Sequence, residues 1–507
     1  MKLRCIVALL AAGLPLAATD ATVAARAWRE AHEREIIQEF FGLLRLSNVA
    51  ADADALRRNA EAIRQMMKKR GVASRLLEVP GAPPVVFGEL PSAGAKQTVV
   101  FYAHYDGQPV QEKFWVGHQP FEPVLRDKLL EDGGRILPFP SPDGRYDPEW
   151  SIYARSASDD KAPILTLLAA LDALKAANLK PSVNLKFVFE GEEEGGSPHL
   201  GAILAAHRDA VRAGFWIICD GPVHQTRRQQ ICFGARGITE LNVTVYGPRR
   251  ELHSGHYGNW APNPAMMLAQ LVASMKDADG RVLVKGFHAG VAPLGETERR
   301  AMSEEPPLDD ELRRELWLGR TDNAPRKLID VINEPSLNVR GLESAAVGAG
   351  SRNVVPVAAT ASIDIRLVKG NDPRAMLEKV KAHIRAQGYF VADDREPTQT
   401  ERMTHPRVAR IEAGGFGYRA VRTPMDLPVS RQVIAAVEAA RGPLVKMPTM
   451  GASVPLALIE DVVHVPMILT PIANHDNNQH SHNENLRLRN LWDAIEMFAS
   501  LFTMQGN

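Results

Sequence analysis

The chain has 507 residues, 45% of them hydrophobic and 24% charged, with 60 basic and 60 acidic side chains that cancel to a formal net charge of zero. It is too long for one ordinary core, so two domains are expected, and the composition is that of a folded globular protein. Balanced charge gives no overall pull toward nucleic acid or anionic lipid, and the three cysteines, Cys5, Cys219 and Cys232, do not make a disulfide framework.

The N-terminus reads as a processing signal. Lys2 and Arg4 precede the apolar run Cys5–Ala18, which has the length of a signal core and is short for a bilayer span. Small residues follow at Ala17, Ala18, Thr19 and Ala21. A secretory signal over residues 1–22, cut somewhere between 19 and 26, is expected; the alternative is an uncleaved anchor. The mature protein is then expected to be secreted or periplasmic, free of the membrane. It would keep Cys219 and Cys232, whose strand-like surroundings suit buried free thiols.

Helical spacing covers Ala24–Leu46 and Asp52–Lys69, with Gly71 as a stop. Ser74–Val79, Pro84–Leu90 and Gln97–Ala103 read as strands. The last is almost wholly apolar, as an interior strand should be, and delivers His104, Tyr105 and Asp106. Phe114–Trp150 is loop-like, and Glu131–Trp150 within it has no periodicity; loops of that length usually serve a function or are disordered. Asp159 and Asp160 come just before a helix over Ile164–Leu174, a position that favours anions. The strand Val183–Phe189 runs into Glu190, Glu192, Glu193 and Glu194, and Phe215–Cys219 runs into Asp220. Alternating strands and helices predict an α/β sheet, whose ligands gather at the carboxyl ends of its strands.

After Gly237 the character changes. Thr239–Tyr246 alternates strictly, the mark of a half-exposed strand. Helices over Asn263–Ala273 and Pro373–Gln387, strands over Ser336–Val339 and Thr360–Val368, and a Pro- and charge-rich connection over Pro293–Lys327 follow. An α+β insert over 238–422 is expected, interrupting a domain made of 23–237 and 423–507. The remaining chain reads as a helix over Val429–Arg441, a turn at Met450–Pro455, a strand over Val462–Leu469, the stretch Gln479–Asn485 and a helix over Leu491–Phe502.

Carboxylates crowded at the end of a buried strand repel one another, so they take up protons or gather a cation. Alone, Glu190–Glu194 has the plainer reading of a solvated acidic turn. His104, Asp159, Glu194, Asp220 and His480, however, all fall at strand ends, helix starts or the loops beside them. Two imidazoles and three carboxylates suit a pair of zinc-like divalent ions. Singly, an Asp before a helix is usually a cap and a His in an Asn-rich loop is usually exposed; the coincidence of all five favours metal.

The ordered set HYDGQP (His104–Pro109), SDDKAP (Ser158–Pro163), EGEEEGGS (Glu190–Ser197), CDGP (Cys219–Pro222), LHSG (Leu252–Gly255) and HSHNEN (His480–Asn485) resembles the M20 metallopeptidases, and most of all their carnosinase-like dipeptidase branch. Glu334–Pro356 and Ser362–Val368 resemble that branch's lid domain, and GASVP (Gly451–Pro455) its substrate-carboxylate turn. The resemblance implies an α/β, mixed-sheet dinuclear catalytic domain with an inserted α+β lid and dimerisation domain. It also implies two divalent metal ions, Zn2+ first, with Mn2+ or Co2+ as alternatives. Asp159 would bridge them, His104 and Asp220 would complete one site, and Glu194 and His480 the other. Asp106 would fix the His104 tautomer. Glu193 would be the general base for a metal-bridged hydroxide that attacks the peptide bond of a dipeptide or short peptide. His253 would reach across a homodimer to the partner's active site, Arg366 would grip the substrate carboxylate, and Ser453 would assist it. A strained peptide bond between Asp159 and Asp160 is implied as well.

Some positions depart from that family's pattern. Glycines are usual where this chain has Ala154, Ser156 and Ala162, and a hydrophobic residue is common at Gly107. The Glu131–Trp150 loop is longer than usual and is expected to shape the pocket. Glu190 and Glu192 are given no chemistry; His256, His475 and His482 are read as loop histidines, His482 being able to exchange roles with His480. The alternatives are an N-acyl-amino-acid amidohydrolase or carboxypeptidase of the same family, and a non-catalytic metal- or peptide-binding paralogue.

Overall fold

The strand Thr98–His104 carries five consecutive apolar residues, Val99 to Ala103, and all are fully buried. A strand with two apolar faces must be covered on both, which puts it inside a sheet. It pairs in parallel with Asn184–Glu190 on one side and Phe215–Ile218 on the other. The computed structural model, which describes residues 16–140 and 144–505, gives the strand order Ala73–Leu77, Val85–Leu90, Asn184–Glu190, Thr98–His104, Phe215–Ile218, Met467–Leu469, Gln230–Cys232, Val445–Met447. Val85–Leu90 runs antiparallel to both its neighbours, so the sheet is mixed, as expected.

The helices Leu16–Leu44, Lys161–Ala176, Pro428–Arg441 and Leu488–Phe502 pack on one another. The last lays Phe498 and Phe502 edge-on against Phe101, with ring centroids 6.2 and 5.1 Å away. Residues 1–15, with most of the expected signal, lie outside the described residues. The first helix runs through the expected cleavage region, where Ala21 and Ala25 are fully buried and Arg26 pairs with Glu496 at 2.8 Å. Asp52 caps Ala53–Lys69 by accepting the Ala55 N–H at 2.9 Å, and Gly71, at φ 81°, lies just beyond its end. No helix among the described residues is long and apolar enough to cross a membrane. Cys219 and Cys232 are buried free thiols.

Two sequence expectations are revised. Within the loop-like stretch, Val124–Arg126 pairs with both Ile136–Leu137 and Ser151–Tyr153, and the last pairs with Asn485–Arg487. Strands of two or three residues are too short to show a period. This small sheet meets the loop that carries His480: Asn478 donates to Glu131 at 3.0 Å and Asn483 to the Phe114 carbonyl at 3.2 Å. Farther on, Leu456–Val463 is helical and only Met467–Leu469 is a strand. Leu456, Ile459 and Val462 fall at a spacing of three and are all buried, a helical stripe that takes Val462 and Val463 out of the expected strand.

The chain divides into two compact units. The first holds the chain up to Ile231, Pro424–Lys446 and the chain from Val462; the second holds Cys232–Thr423 and Met447–Asp461. The short excursion Met447–Asp461, grouped by sequence with the C-terminal part, joins the second unit through backbone bonds. Met450 donates to the Gly234 carbonyl at 2.7 Å and Arg236 to the Ala452 carbonyl at 3.1 Å. The second unit's main sheet has the order Ser336–Glu343, Ala358–Leu367, Gly237–Tyr246, Val408–Tyr418, Phe390–Asp393. Leu241, Val243 and Val245 are buried while Asn242 is exposed, as the alternation predicts, but Thr244 on the outer face is buried as well. Leu268 and Leu271 of Pro264–Ala273, and Met376, Val380 and Ile384 of Pro373–Ala386, complete that core. The Pro- and charge-rich connection contains two helices, Glu296–Ser303 and Asp309–Glu315.

Candidate metal centre

Parallel strands end at the same edge, and three of them end on donors. Thr98–His104 stops at His104, Asn184–Glu190 leads into the turn of Glu193 and Glu194, and Phe215–Ile218 leads to Asp220. Asp159 precedes the helix Lys161–Ala176. The donor atoms of His104, Asp159 and Asp220 lie within 4.8 Å of one another, and so do those of Asp159, Glu194 and His480. All five expected ligands therefore come together in two groups, and Asp159 belongs to both. His104 Nε2 is 2.9 Å from Asp159 Oδ1; His480 Nε2 is 3.2 Å from Asp159 Oδ2 and 3.2 Å from Glu194 Oε2.

The electrostatics are those of a cation site. Burial raises the proton affinity of Glu193 and Glu194 and pushes the Asp220 carboxyl up to about 7, with Asp159 adding to the shift of Glu194 and Asp220. Burial also acts to raise Asp159, but hydrogen bonds from His104 and His480 outweigh it and hold that carboxyl well below its usual range. His480 is raised by its bonds to Asp159 and Glu194. Burial opposes a charged His104, yet Asp106 and Asp159 raise it. The histidines thus hold protons against an excess of buried negative charge, a place that divalent cations would take. Two imidazoles with three carboxylates fit zinc-like ions.

Asp106 ties two strand ends together. Its Oδ1 is 3.2 Å from His104 Nδ1 and accepts the Glu193 N–H at 3.1 Å, while Oδ2 accepts the Glu194 N–H at 3.0 Å. With Nδ1–H directed at Asp106, Nε2 of His104 is the ligand nitrogen. Glu484, which the sequence did not single out, does the same for the Asp159 turn. It is fully buried and accepts the N–H groups of Ser156, Ser158 and Asp159 and the Ser158 hydroxyl, each at 2.9 Å, and Arg155 Nη1 at 2.8 Å. The Asp159–Asp160 peptide bond is cis. Gln108 and Gln479, also not singled out, donate to Glu194 and Asp159, each at 2.7 Å. All three sit in or beside quoted motifs, but only long-range hydrogen bonds mark their part. His480 itself is in the left-handed region at φ 61°, flanked by Asn478 and Asn483 at 57° and 59°; asparagine tolerates that conformation, which accounts for the loop's composition.

Glu193 Oε2 lies 3.9 Å from His104 Nε2. The other acids of the strand end have structural partners: Glu190 accepts from the Tyr102 hydroxyl, and Glu192 accepts from His199 N–H at 2.7 Å and faces its Nδ1 at 2.9 Å. His480, and not His482, is in the donor groups; His482 lies against the Phe114 ring at 4.6 Å.

His253, Arg366 and Ser453 belong to the second unit. His253 is exposed, and its Nδ1 accepts the Gly255 N–H at 3.0 Å, so the neutral ring carries its proton on Nε2. Arg366 Nη1 donates to Ser453 Oγ at 2.8 Å, and its Nε is 3.5 Å from Asp364 Oδ2. A second guanidinium, Arg236, donates to Ser336 Oγ at 2.9 Å; burial, with the Arg366 charge, brings its pKa down to about 10.

Residues 100–504 match the model of Peptidase family M20/M25/M40. Over 436 residues the chain is 28% identical to the human Beta-Ala-His dipeptidase, covering 83% of this chain and 77% of that protein. It is 27% identical to the Cys-Gly metallodipeptidase DUG1 of Saccharomyces cerevisiae over 428 residues, 82% of this chain and 81% of that one. Among solved structures, the M20 family metallo-carboxypeptidase Sso-CP2 from Sulfolobus solfataricus superposes with a TM-score of 0.74 and 25% identity, over 93% of this chain and 99% of that one.

Proposed function

The chain belongs to peptidase family M20/M25/M40 and is a metal-dependent peptidase, and from that premise we propose that it cleaves dipeptides and other short peptides with two divalent ions, zinc first, held by His104, Asp159, Glu194, Asp220 and His480. The observation that carries this is the membership of Asp159 in both donor groups, since one carboxylate has two oxygens to divide between two ions. When bound, the ions would polarise the scissile carbonyl and acidify the attacking water.

The chain's own residues supply the rest. Glu193, half-buried beside the cluster with a raised proton affinity, takes a proton from the water and passes it to the leaving amine. Asp106 holds His104 in the ligating tautomer. Arg366, backed by Ser453, grips the substrate's free carboxylate with its planar fork. The Nε2 proton of His253 suits donation to a substrate carbonyl in a second copy of the chain, which makes the working form a homodimer. The basic and apolar start supports export to the periplasm or beyond; full-length chain found only in the cytoplasm would reject that part.

Similarity to relatives named as dipeptidases favours dipeptides, and likeness to a metallo-carboxypeptidase keeps longer peptides with a free C-terminus as the second reading. A panel of dipeptides, longer peptides and N-acyl amino acids tests both, with chelation and metal add-back. Rapid, chelator-sensitive dipeptide cleavage is expected. Cleavage of N-acyl amino acids alone would overturn the proposal.

A further inference from the structure

Away from these donors, five arginines of the first unit converge on one cavity. Arg227, Arg228, Arg441, Arg487 and Arg489 line a space of about 170 Å³, and Asp493 is the single acid in its wall. Their carboxylate partners are shared. Glu149 serves Arg227, Arg487 and Arg489, at 2.9, 3.6 and 2.8 Å. Asp476 pairs with Arg487 at 2.6 Å and Asp493 with Arg441. Glu496, 3.6 Å from Arg441, also serves Arg26 and Arg29. The Arg228 guanidinium rests on the carbonyls of Pro443 and Leu444. Four carboxylates, Glu149, Asp476, Asp493 and Glu496, the last shared with Arg26 and Arg29, thus stand against the five guanidinium groups of the cavity.

Two further observations point to a ligand. Arg487 is only 3% exposed, and its Nη1 has no hydrogen-bond partner; a buried cationic donor without an acceptor is costly. The helix Leu488–Phe502 begins on the same wall, where Arg489 and Asn490 line the cavity, and a helix start adds positive potential. Guanidinium groups arriving from several directions match an anion with oxygens on all sides better than a planar carboxylate.

We propose that this cavity binds a small tetrahedral oxyanion of the phosphate class, at a site separate from the five metal-centre donors. Its position couples it to one of them. The loop carrying His480 is closed at its base by Arg487: its N–H donates to Asn474 at 2.8 Å and its side chain to Asp476 at 2.6 Å. Asn485, two residues earlier, donates its N–H to the Asn477 carbonyl at 2.9 Å. An oxyanion on Arg487 Nη1 fixes that base.

The test is calorimetric titration of the metal-loaded protein with inorganic phosphate at constant ionic strength. Saturable binding is expected, weakened at least about tenfold in Arg228→Gln/Arg489→Gln and unchanged in the remote surface pair Arg57→Gln/Arg64→Gln. Phosphate reaching the metal ions is insensitive to both pairs, so identical isotherms for wild type and the cavity variant overturn the proposal. Arg227→Gln, at the exposed mouth, is the second variant should the first lose its fold, and is expected to weaken binding in the same direction. Glycerol phosphate as competitor separates the sources: displacement assigns the oxyanion to an ester, its failure to the free ion. Hydrogen exchange of Asn474–Asn485 should slow with phosphate in wild type only; no change at saturation would remove the coupling to His480.

Discussion

Gly107 and Ser156 occupy one another's space. A side chain begun on Gly107 would run into Ser156 Oγ, with the Asn48 amide close behind. Ser156 is not free to turn aside, because Asn48 donates to its hydroxyl at 2.8 Å and to the Tyr105 carbonyl at 2.7 Å. It also stands at φ 61°, where glycine is at ease. Both positions depart from the family's usual pattern, and they depart together: the small residue sits where a larger one is common, and the larger where glycine is usual. Gly107→Val is expected to destabilise by about 1–3 kcal/mol through overpacking. Adding Ser156→Gly should recover most of the loss. Urea denaturation of the three variants reads this directly, and additive losses would show that the two positions are independent.

Much of the donor set was legible because it lies where periodicity stops. Val99–Ala103 is an apolar run and Leu185–Phe189 is apolar except at Lys186; they end on imidazole and carboxylate, and a buried strand must end at a sheet edge. Glu484 and Gln479 were not legible, since their parts depend on hydrogen bonds to residues more than 300 positions away. The same holds for Met447–Asp461, whose place in the second unit is set by backbone bonds to Gly234 and Arg236. The strand expected over Val462–Leu469 shows a different failure: Val462 and Val463 close the helix Leu456–Val463, and only Met467–Leu469 is left as strand, because an apolar run this short does not distinguish a helix end from a strand.

Asp106 reaches both groups of donors, through His104 Nδ1 and through the N–H groups of Glu193 and Glu194. Asp106→Ala is expected to lower metal affinity by about 10- to 100-fold. Asp106→Asn should fall between, because its amide keeps one acceptor and turns one donor toward N–H groups. Metal retention in a competing chelator, checked against circular dichroism, measures the effect. Wild-type retention in Asp106→Ala would show that the ligands hold themselves in place.

Glu193→Gln is expected to keep both ions and the fold while turnover drops by about 10²- to 10⁴-fold. Metal content per chain and kcat, measured on the same preparation, separate this from loss of a ligand. Full activity with full metal would assign the proton to another group.

Glu484 accepts five hydrogen bonds in a fully buried position, one of them from Arg155, itself 2% exposed. Removing its charge leaves a buried guanidinium uncompensated and turns an amide donor toward other donors. Glu484→Gln should therefore cost about 3–5 kcal/mol of stability and weaken metal binding through the Asp159 turn. A loss below about 1 kcal/mol by denaturation would mean that water satisfies Arg155 in the variant.

Glu190 gives a pH signature opposite to that of an ion-paired acid. Burial, opposed in part by the Tyr102 hydroxyl bond, pushes its carboxyl up to about 8 from an ordinary 4.5. In the folded chain it is neutral at pH 7; in the unfolded chain it is ionised. Below 4.5 both states hold the proton and its contribution to stability is fully present. Between 4.5 and about 8 the unfolded state has released a proton that the folded state keeps, so rising pH favours unfolding by up to about 1.4 kcal/mol per pH unit. Glu190→Gln keeps an acceptor for Tyr102 and removes the titration. In metal-depleted protein, where no nearby cation lowers the carboxyl, wild-type stability relative to Glu190→Gln should fall steadily from pH 5 to about 8. Parallel stability curves would place the proton elsewhere.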